Sequence, residues 1–138
     1  MHEPYKILIA EPQDFSPRAI ALLKRIGQVD LWQCGNGDLR QALENYDVFW
    51  FRLAHRMSRE VLTGDIRCRI LATPVTGIDH IDLEACAERG IRVVCLRGEY
   101  DFLKKVRATA ELTLGLTLAL LRHIPDAAAS VKSGNWNR

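Results

Sequence analysis

The segment ILATPVTGIDHIDLEACAERGIRVV, residues 70–94, decides the architecture. A short apolar run meets a Pro/Thr/Gly turn. A carboxylate-rich stretch with apolar residues every three or four positions follows, and a β-branched run closes the unit. Short apolar runs bounded by turn residues read as buried strands, and the intervening period reads as a helix. The segment is therefore a strand, loop, helix and strand, the unit from which parallel sheets are built. Asp82 is placed to cap its helix and Gly90 to stop it.

The same alternation extends in both directions. Upstream, KILIA (6–10) reads as strand 1 and VDLWQ (29–33) as strand 2, with the helix SPRAIALLKRIG between them, capped by Ser16, opened by Pro17 and ended at Gly27. DLRQALENY is a short helix capped by Asp38, DVFWF (47–51) is an almost wholly apolar strand 3, and SREVLTG (58–64) reads as a further short helix. RILA is strand 4 and IRVVCL strand 5. Downstream, residues 103–123 read as one long helix that stops before Pro125. These elements predict an α/β fold: a flavodoxin-like, doubly wound, parallel five-stranded sheet of order 2-1-3-4-5, followed by a long C-terminal helix.

Composition excludes several function classes. Of 138 residues, 26% are charged and 48% apolar, the balance of a globular chain. A net charge of +2, with Lys and Arg spread evenly, gives no footprint for nucleic acid or a membrane surface. The four cysteines, Cys34, Cys68, Cys86 and Cys95, form no CxxC pair and have no histidine at ligand spacing, so they read as reduced structural thiols. The N-terminus MHEPYKILIAEP has no signal-peptide pattern, which implies a cytoplasmic protein. The longest apolar run, LTLGLTLALL, is about half the ~20 residues that a membrane helix needs.

In a sheet of this kind ligands bind beyond the carboxyl ends of the strands. The residues there are Glu11, Pro12 and Gln13; Arg52; Thr73 to Asp79; and Arg97, Gly98 and Glu99. Arg52 ends an apolar strand with no carboxylate beside it in sequence, a position from which a guanidinium can present forked donors to an acid. In the loop 73–79, Gly77 is free to take a positive φ, Thr76 adds a hydroxyl, and backbone N–H groups can face a small anion. Glycine also serves ordinary turns, so local chemistry leaves binding and plain turn both open. Asp79 and Asp82 read as caps. His55 and His80 lie in loops without a nucleophile or acid at readable spacing and read as exposed polar residues, while His2 and His123 lie at a terminus and a helix end.

Two functions that share this sheet order fail. A receiver domain needs an acid at the end of strand 3, where Arg52 stands. An FMN site needs a loop rich in Ser, Thr and Gly after strand 1, where EPQDFSP supplies acids and prolines.

Three quoted stretches taken together, DVFWFR, ILATPVTGIDHIDLEACAERGIRVV and ATAELTLGLTLALLR with its trailing GNWNR, resemble the D-isomer-specific 2-hydroxyacid dehydrogenases, the phosphoglycerate dehydrogenase group. The resemblance covers nearly the whole chain. TGIDHIDLEA and the TAE…LALLR helix with its W-x-R are the most specific parts, and the first 45 residues match in pattern only. It implies a flavodoxin-like substrate domain over 1–102, with the helix and tail of 103–138 leading into an NAD-binding domain. It also makes Arg52 the arginine that holds the substrate acid and Val75, Thr76 and Gly77 the loop whose amides approach its carboxylate. Val75 stands where the family has the first glycine of Gly-x-Gly, and CLRGEYDFLKKVRATAE replaces an Asn-containing stretch.

No G-x-G-x-x-G occurs in the 138 residues. The family's catalytic arginine, glutamate and histidine are likewise expected beyond Arg138. The expectation is therefore the substrate-domain portion of a D-2-hydroxyacid dehydrogenase, truncated and inactive alone, with no catalytic residue, cofactor site or metal site of its own, although NAD is implied for a full-length member. The partner expected is a small 2-hydroxy or 2-keto acid. The alternative is a stand-alone carboxylate-binding or dimerising module. Helix 103–123, apolar on more than one side, predicts a homodimer or a partner chain at that surface.

Overall fold

The computed structural model describes residues 3–136. His2, and the Arg138 of the W-x-R, lie outside the described residues. The chain divides into two compact units, Met1–Gly98 and Glu99–Arg138.

The first unit is a parallel five-stranded sheet in the order β2-β1-β3-β4-β5. Its strands are β1 (Tyr5–Ile9), β2 (Gly27–Leu31), β3 (Val48–Trp50), β4 (Ile70–Ala72) and β5 (Arg92–Val94), with helices α1 (Pro17–Leu23), α2 (Leu39–Asn45) and α3 (Leu83–Glu88) in the connections. Both the order and the parallel sense agree with the sequence reading. Alternating strand residues feed two cores. The larger gathers Leu8, Phe49, Phe51 and Leu71 with Leu39 and Leu43 of α2 and Ala85 and Cys86 of α3; the smaller holds Ile7, Ile9 and Val48, with Phe15 and Trp50 packed against them.

Local signals set the ends of α3, whereas Ser16 and Asp38 precede α1 and α2 as expected but neither side chain makes the capping hydrogen bond. Asp82 accepts a hydrogen bond from the Ala85 N–H at 2.9 Å and so caps α3, and Gly90 stops it with φ +66°. Gly27 does not end α1; it is the first residue of β2, where a Cβ would run into the Tyr5 carbonyl oxygen. Only a residue without a side chain lets β2 start that close to β1.

The helix expected at 58–64 is a turn. Met57 forms a parallel bridge with Ile81, which ties the entry to the strand side of α3. At the exit, the Arg40 guanidinium donates to the carbonyls of Thr63 (2.9 Å) and Glu60 (3.4 Å), acceptors that a longer helix would use internally.

The second unit corrects the helix expected at 103–123. It contains α4 (Tyr100–Leu103), α5 (Ala108–Leu121) and α6 (Ile124–Lys132). The chain leaves α4 through tight i→i−3 bonds from Lys105 to Phe102 and Val106 to Leu103. Lys104 and Arg107 would be like-charged neighbours on a continuous helix. The expected stop before Pro125 holds, α5 ending at Leu121, because the proline ring would clash with the carbonyl of Leu121 in an unbroken helix; α6 then starts afresh after a turn at His123 with φ 51°. None of the residues of α5 is buried.

Candidate functional site

The site is built at the carboxyl rim of β1, β3 and β4. Ile9 pairs with Trp50 and Trp50 with Ala72, so two residues further along, Glu11, Arg52 and Pro74 stand side by side at the rim. The parallel sheet thus brings the end of strand 1, the end of strand 3 and the 73–79 loop together, as the sequence reading requires.

Arg52 does have a partner, contrary to that reading. The carboxylate of Glu11, from 41 positions earlier, accepts from the Arg52 backbone N–H with Oε1 (2.6 Å) and from the Ala54 N–H with the same oxygen (3.2 Å). Its Oε2 lies 3.4 Å from Arg52 Nε. The Glu11 side chain is 11% exposed and that of Arg52 38%. A buried carboxylate needs donors and a counter-charge to offset its lost hydration, and this one has two donating amides and the Arg52 guanidinium as its ion-pair partner. Among the described residues, neither terminal nitrogen of Arg52 donates a hydrogen bond, so the outer edge of the guanidinium faces out unpaired.

Thr76 and Gly77 are exposed and Val75 half-buried. Gly77 is not in the left-handed region, and a Cβ there would meet open space, so the turn does not itself require glycine. The loop is anchored at its ends: Thr73 N–H bonds to Val94 O (2.8 Å) and Leu96 N–H to Val75 O (3.2 Å). Among the described residues the N–H groups of Val75, Thr76 and Gly77 make no hydrogen bond within the chain. Three amides without a hydrogen bond and an unpaired guanidinium edge therefore lie on adjacent strand ends. Asp79, read as a cap, accepts no hydrogen bond among the described residues; Asp82 alone caps.

The loop histidines are not exposed polar residues. His55 is 2% exposed and packs its ring against Phe49 and Phe51, with Nδ1 3.2 Å from Asn36 Oδ1. The tautomer protonated at Nδ1 satisfies that contact and leaves Nε2 buried without a partner. Burial holds its pKa below the ordinary histidine value, partly opposed by the charge of Glu11. His80 lies edge-on to Phe51 (ring centroids 5.5 Å apart), also with Nε2 buried and unpartnered, as is the Thr73 hydroxyl. A cavity of about 230 Å³ is lined by Arg56, Met57, Ser58, Asp79, His80 and other residues of that loop pair. Another of about 250 Å³, lined by Asn36, Leu39 and Arg40 with Glu60 and Val61, includes neither Arg52 nor the 75–77 loop. The sequence reading placed Glu11 and Thr73 after strands and His55 and His80 in loops, but it missed the pairing of Glu11 with Arg52 and the burial of the other three side chains' polar atoms.

Comparisons with known proteins identify the family. Residues 7–132 match the family described as D-isomer specific 2-hydroxyacid dehydrogenase, catalytic domain. The chain belongs to this family. It is 33% identical over 134 residues to a D-3-phosphoglycerate dehydrogenase of Methanocaldococcus jannaschii, covering 96% of this chain and 24% of that protein. It is 27% identical over 134 residues to a hydroxypyruvate reductase of Thermotoga maritima, covering 97% of this chain and 42% of that protein. The chain thus spans 24% to 42% of the length of these relatives. Among solved structures, the TT0316 protein of Thermus thermophilus superposes with a TM-score of 0.77 at 29% identity, over 96% of this chain and 42% of that one. A D-lactate dehydrogenase of Aquifex aeolicus, complexed with NAD and lactic acid, shares the fold with a TM-score of 0.77 at 21% identity, over 96% of this chain and 38% of that one.

In this 2-hydroxyacid dehydrogenase family member, the loop after β1 does not fit the phosphates of a dinucleotide. After β1 the Glu11 carboxylate is committed to two amides and a guanidinium, and Pro12 offers no N–H, so no phosphate cradle exists there. No hydride-transfer step is assigned to these residues. Among the described residues no group of three or more His, Cys, Asp or Glu is placed to hold a metal, and no helix is long and apolar enough to cross a membrane.

Proposed function

We propose that these residues are the substrate-binding portion of a D-2-hydroxyacid dehydrogenase, holding a small 2-hydroxy or 2-keto acid between Arg52 and the loop of Val75, Thr76 and Gly77. The observation that carries the reading is the unpaired outer edge of Arg52 standing one strand away from three unbonded amides. A carboxylate accepts two parallel N–H bonds from such a guanidinium, and the amides suit a second oxygen. Val75 narrows this approach, since its Cβ restricts the backbone where the family has glycine. Binding and orienting the acid is what these 138 residues do by themselves. The nicotinamide, which supplies the hydride, is held by residues outside them. The buried thiols of Cys34 and Cys68, pushed up to about 11 and about 12 by burial, suit a reducing cytoplasm.

Calorimetry with glyoxylate, hydroxypyruvate and 2-oxoglutarate tests the reading. Arg52→Ala is expected to weaken binding of the acid by about 1.5–3 kcal/mol, the value of a charge-assisted hydrogen bond. Equal heats from the two proteins would remove Arg52 from the site, and turnover of a keto acid with NADH by this polypeptide alone would overturn the division of labour.

A second reading rests on α5. Leu112, Leu114, Leu116, Leu118 and Leu120 are each 57–75% exposed, an apolar surface of the kind that a second chain covers. On this reading the family member dimerises or docks a partner through α5. Light scattering that finds only monomer at high concentration would count against it.

A further inference from the structure

We infer that Glu11 is a positioning residue for Arg52: its carboxylate fixes the main chain from which the arginine springs and occupies the inner edge of the guanidinium, so that only Nη1 and Nη2 are presented to an acid. The inference rests on the acid-binding reading of Arg52.

An arginine at the end of a strand has four rotatable side-chain bonds and no reason of its own to hold one direction. Glu11 supplies two restraints of different kinds. Oε1 takes the N–H groups of residues 52 and 54, at 2.6 and 3.2 Å, which clamps the bend that follows β3. Oε2 stands 3.4 Å from Nε, the inner donor of the guanidinium fork. With Nε drawn inward, the outer pair of nitrogens is left as two parallel donors, the spacing that a carboxylate matches bidentately. Glu11 itself is 8% exposed and reaches this position from the far end of β1, so it is held by the sheet and not by the loop it organises.

Charge alone argues against such a residue. A carboxylate next to an anion site opposes the anion, and its removal should tighten acid binding by Coulomb attraction. Positioning predicts the opposite sign. In Glu11→Gln the amide oxygen still accepts from the two backbone N–H groups, but its NH2 faces Nε, donor against donor, and the guanidinium turns away.

The test uses the 138-residue chain, with hydroxypyruvate as the probe. Calorimetry is expected to show about tenfold or more weaker binding for Glu11→Gln, with the melting temperature little changed. In an Arg52→Ala background the same substitution is expected to have no further effect, because Glu11 acts through the arginine. Tighter binding by Glu11→Gln, or an equal loss in both backgrounds, would overturn the inference. A second readout needs no ligand: the ordered-side-chain signal of Arg52, a high heteronuclear enhancement at Nε in nitrogen NMR relaxation, should be present in the wild type and lost in Glu11→Gln, because the ion pair holds the side chain. A wild type that lacks that signal overturns the hold of Glu11 on Arg52. A wild type that shows the signal but binds no acid removes the acid-binding reading instead, and with it the purpose inferred for Glu11.

Discussion

Leu8, Leu43, Leu62 and Leu71 in the sheet unit are fully buried, whereas Leu112, Leu114, Leu116 and Leu118 on α5 each leave 57–65% of their surface exposed. The residue type is the same and so is the local apolarity. In the sheet unit, strands apolar on both faces lie between helices, and burying each large side chain stabilises the fold by about 1.5–3 kcal/mol. The leucines of α5 contribute no such term to the chain on its own. Apolar density therefore marks two things in this molecule: a core where elements close over it, and a surface awaiting cover where they do not.

The largest expected effect tests that contrast directly. Phe49 is fully buried at the centre of the larger core, in contact with Phe51 and His55. Phe49→Ala is expected to cost about 3–5 kcal/mol in urea unfolding, through lost burial and the cavity left behind. Leu116→Ala on α5 should change stability by no more than about 0.5 kcal/mol, as for an exposed site. Comparable losses from the two would mean that α5 is as well covered as the sheet, and the contrast would fail.

The contrast sharpens at two glycines. Gly27 begins β2 with the Tyr5 carbonyl where its Cβ would go, and Gly115 in the middle of α5 has nothing within 4 Å. Gly27→Ala should destabilise by about 1–3 kcal/mol or more, because the obstacle is backbone and cannot rotate aside. Gly115→Ala should instead stabilise its helix by about 0.5–1 kcal/mol, visible as slower amide exchange along α5. A Gly27→Ala protein as stable as wild type would show that β1 and β2 can separate at that point.

The sheet was legible because each of its strands is a short apolar run closed by turn residues, and because α/β connections leave few ways to order five such strands. The cap at Asp82 and the stop at Gly90 were legible for the same local reason. What failed depends on contacts between distant residues. Nothing near 58–64 foretells that Arg40 will take its carbonyls, and nothing near Arg52 foretells Glu11, since the two meet only once β1 and β3 are paired. At the site, Arg52 and the 75–77 loop were readable by position after a strand. The direction in which Arg52 points, and the burial of His55 and His80, depend on loops folding back over Phe51.

The buried histidine gives the smallest effect and the most specific one. Burial keeps the folded-state pKa of His55 below its ordinary value, and the nearby Glu11 charge only partly offsets this. As pH falls, the unfolded chain takes up the proton first, so the histidine favours the folded state fully above its unfolded pKa of about 6.5. That contribution is lost as the pH drops through the lower folded value. Melting temperatures measured between about pH 7.5 and 5.5, above the range in which ordinary carboxylates titrate, should therefore decline. The decline should be shallower in His55→Gln, which keeps a polar side chain near Asn36 but cannot take up a proton. Parallel melting curves for the two proteins would show that the ring reaches water, and that the loop after β3 is more open than the packing of Phe49 and Phe51 around it implies.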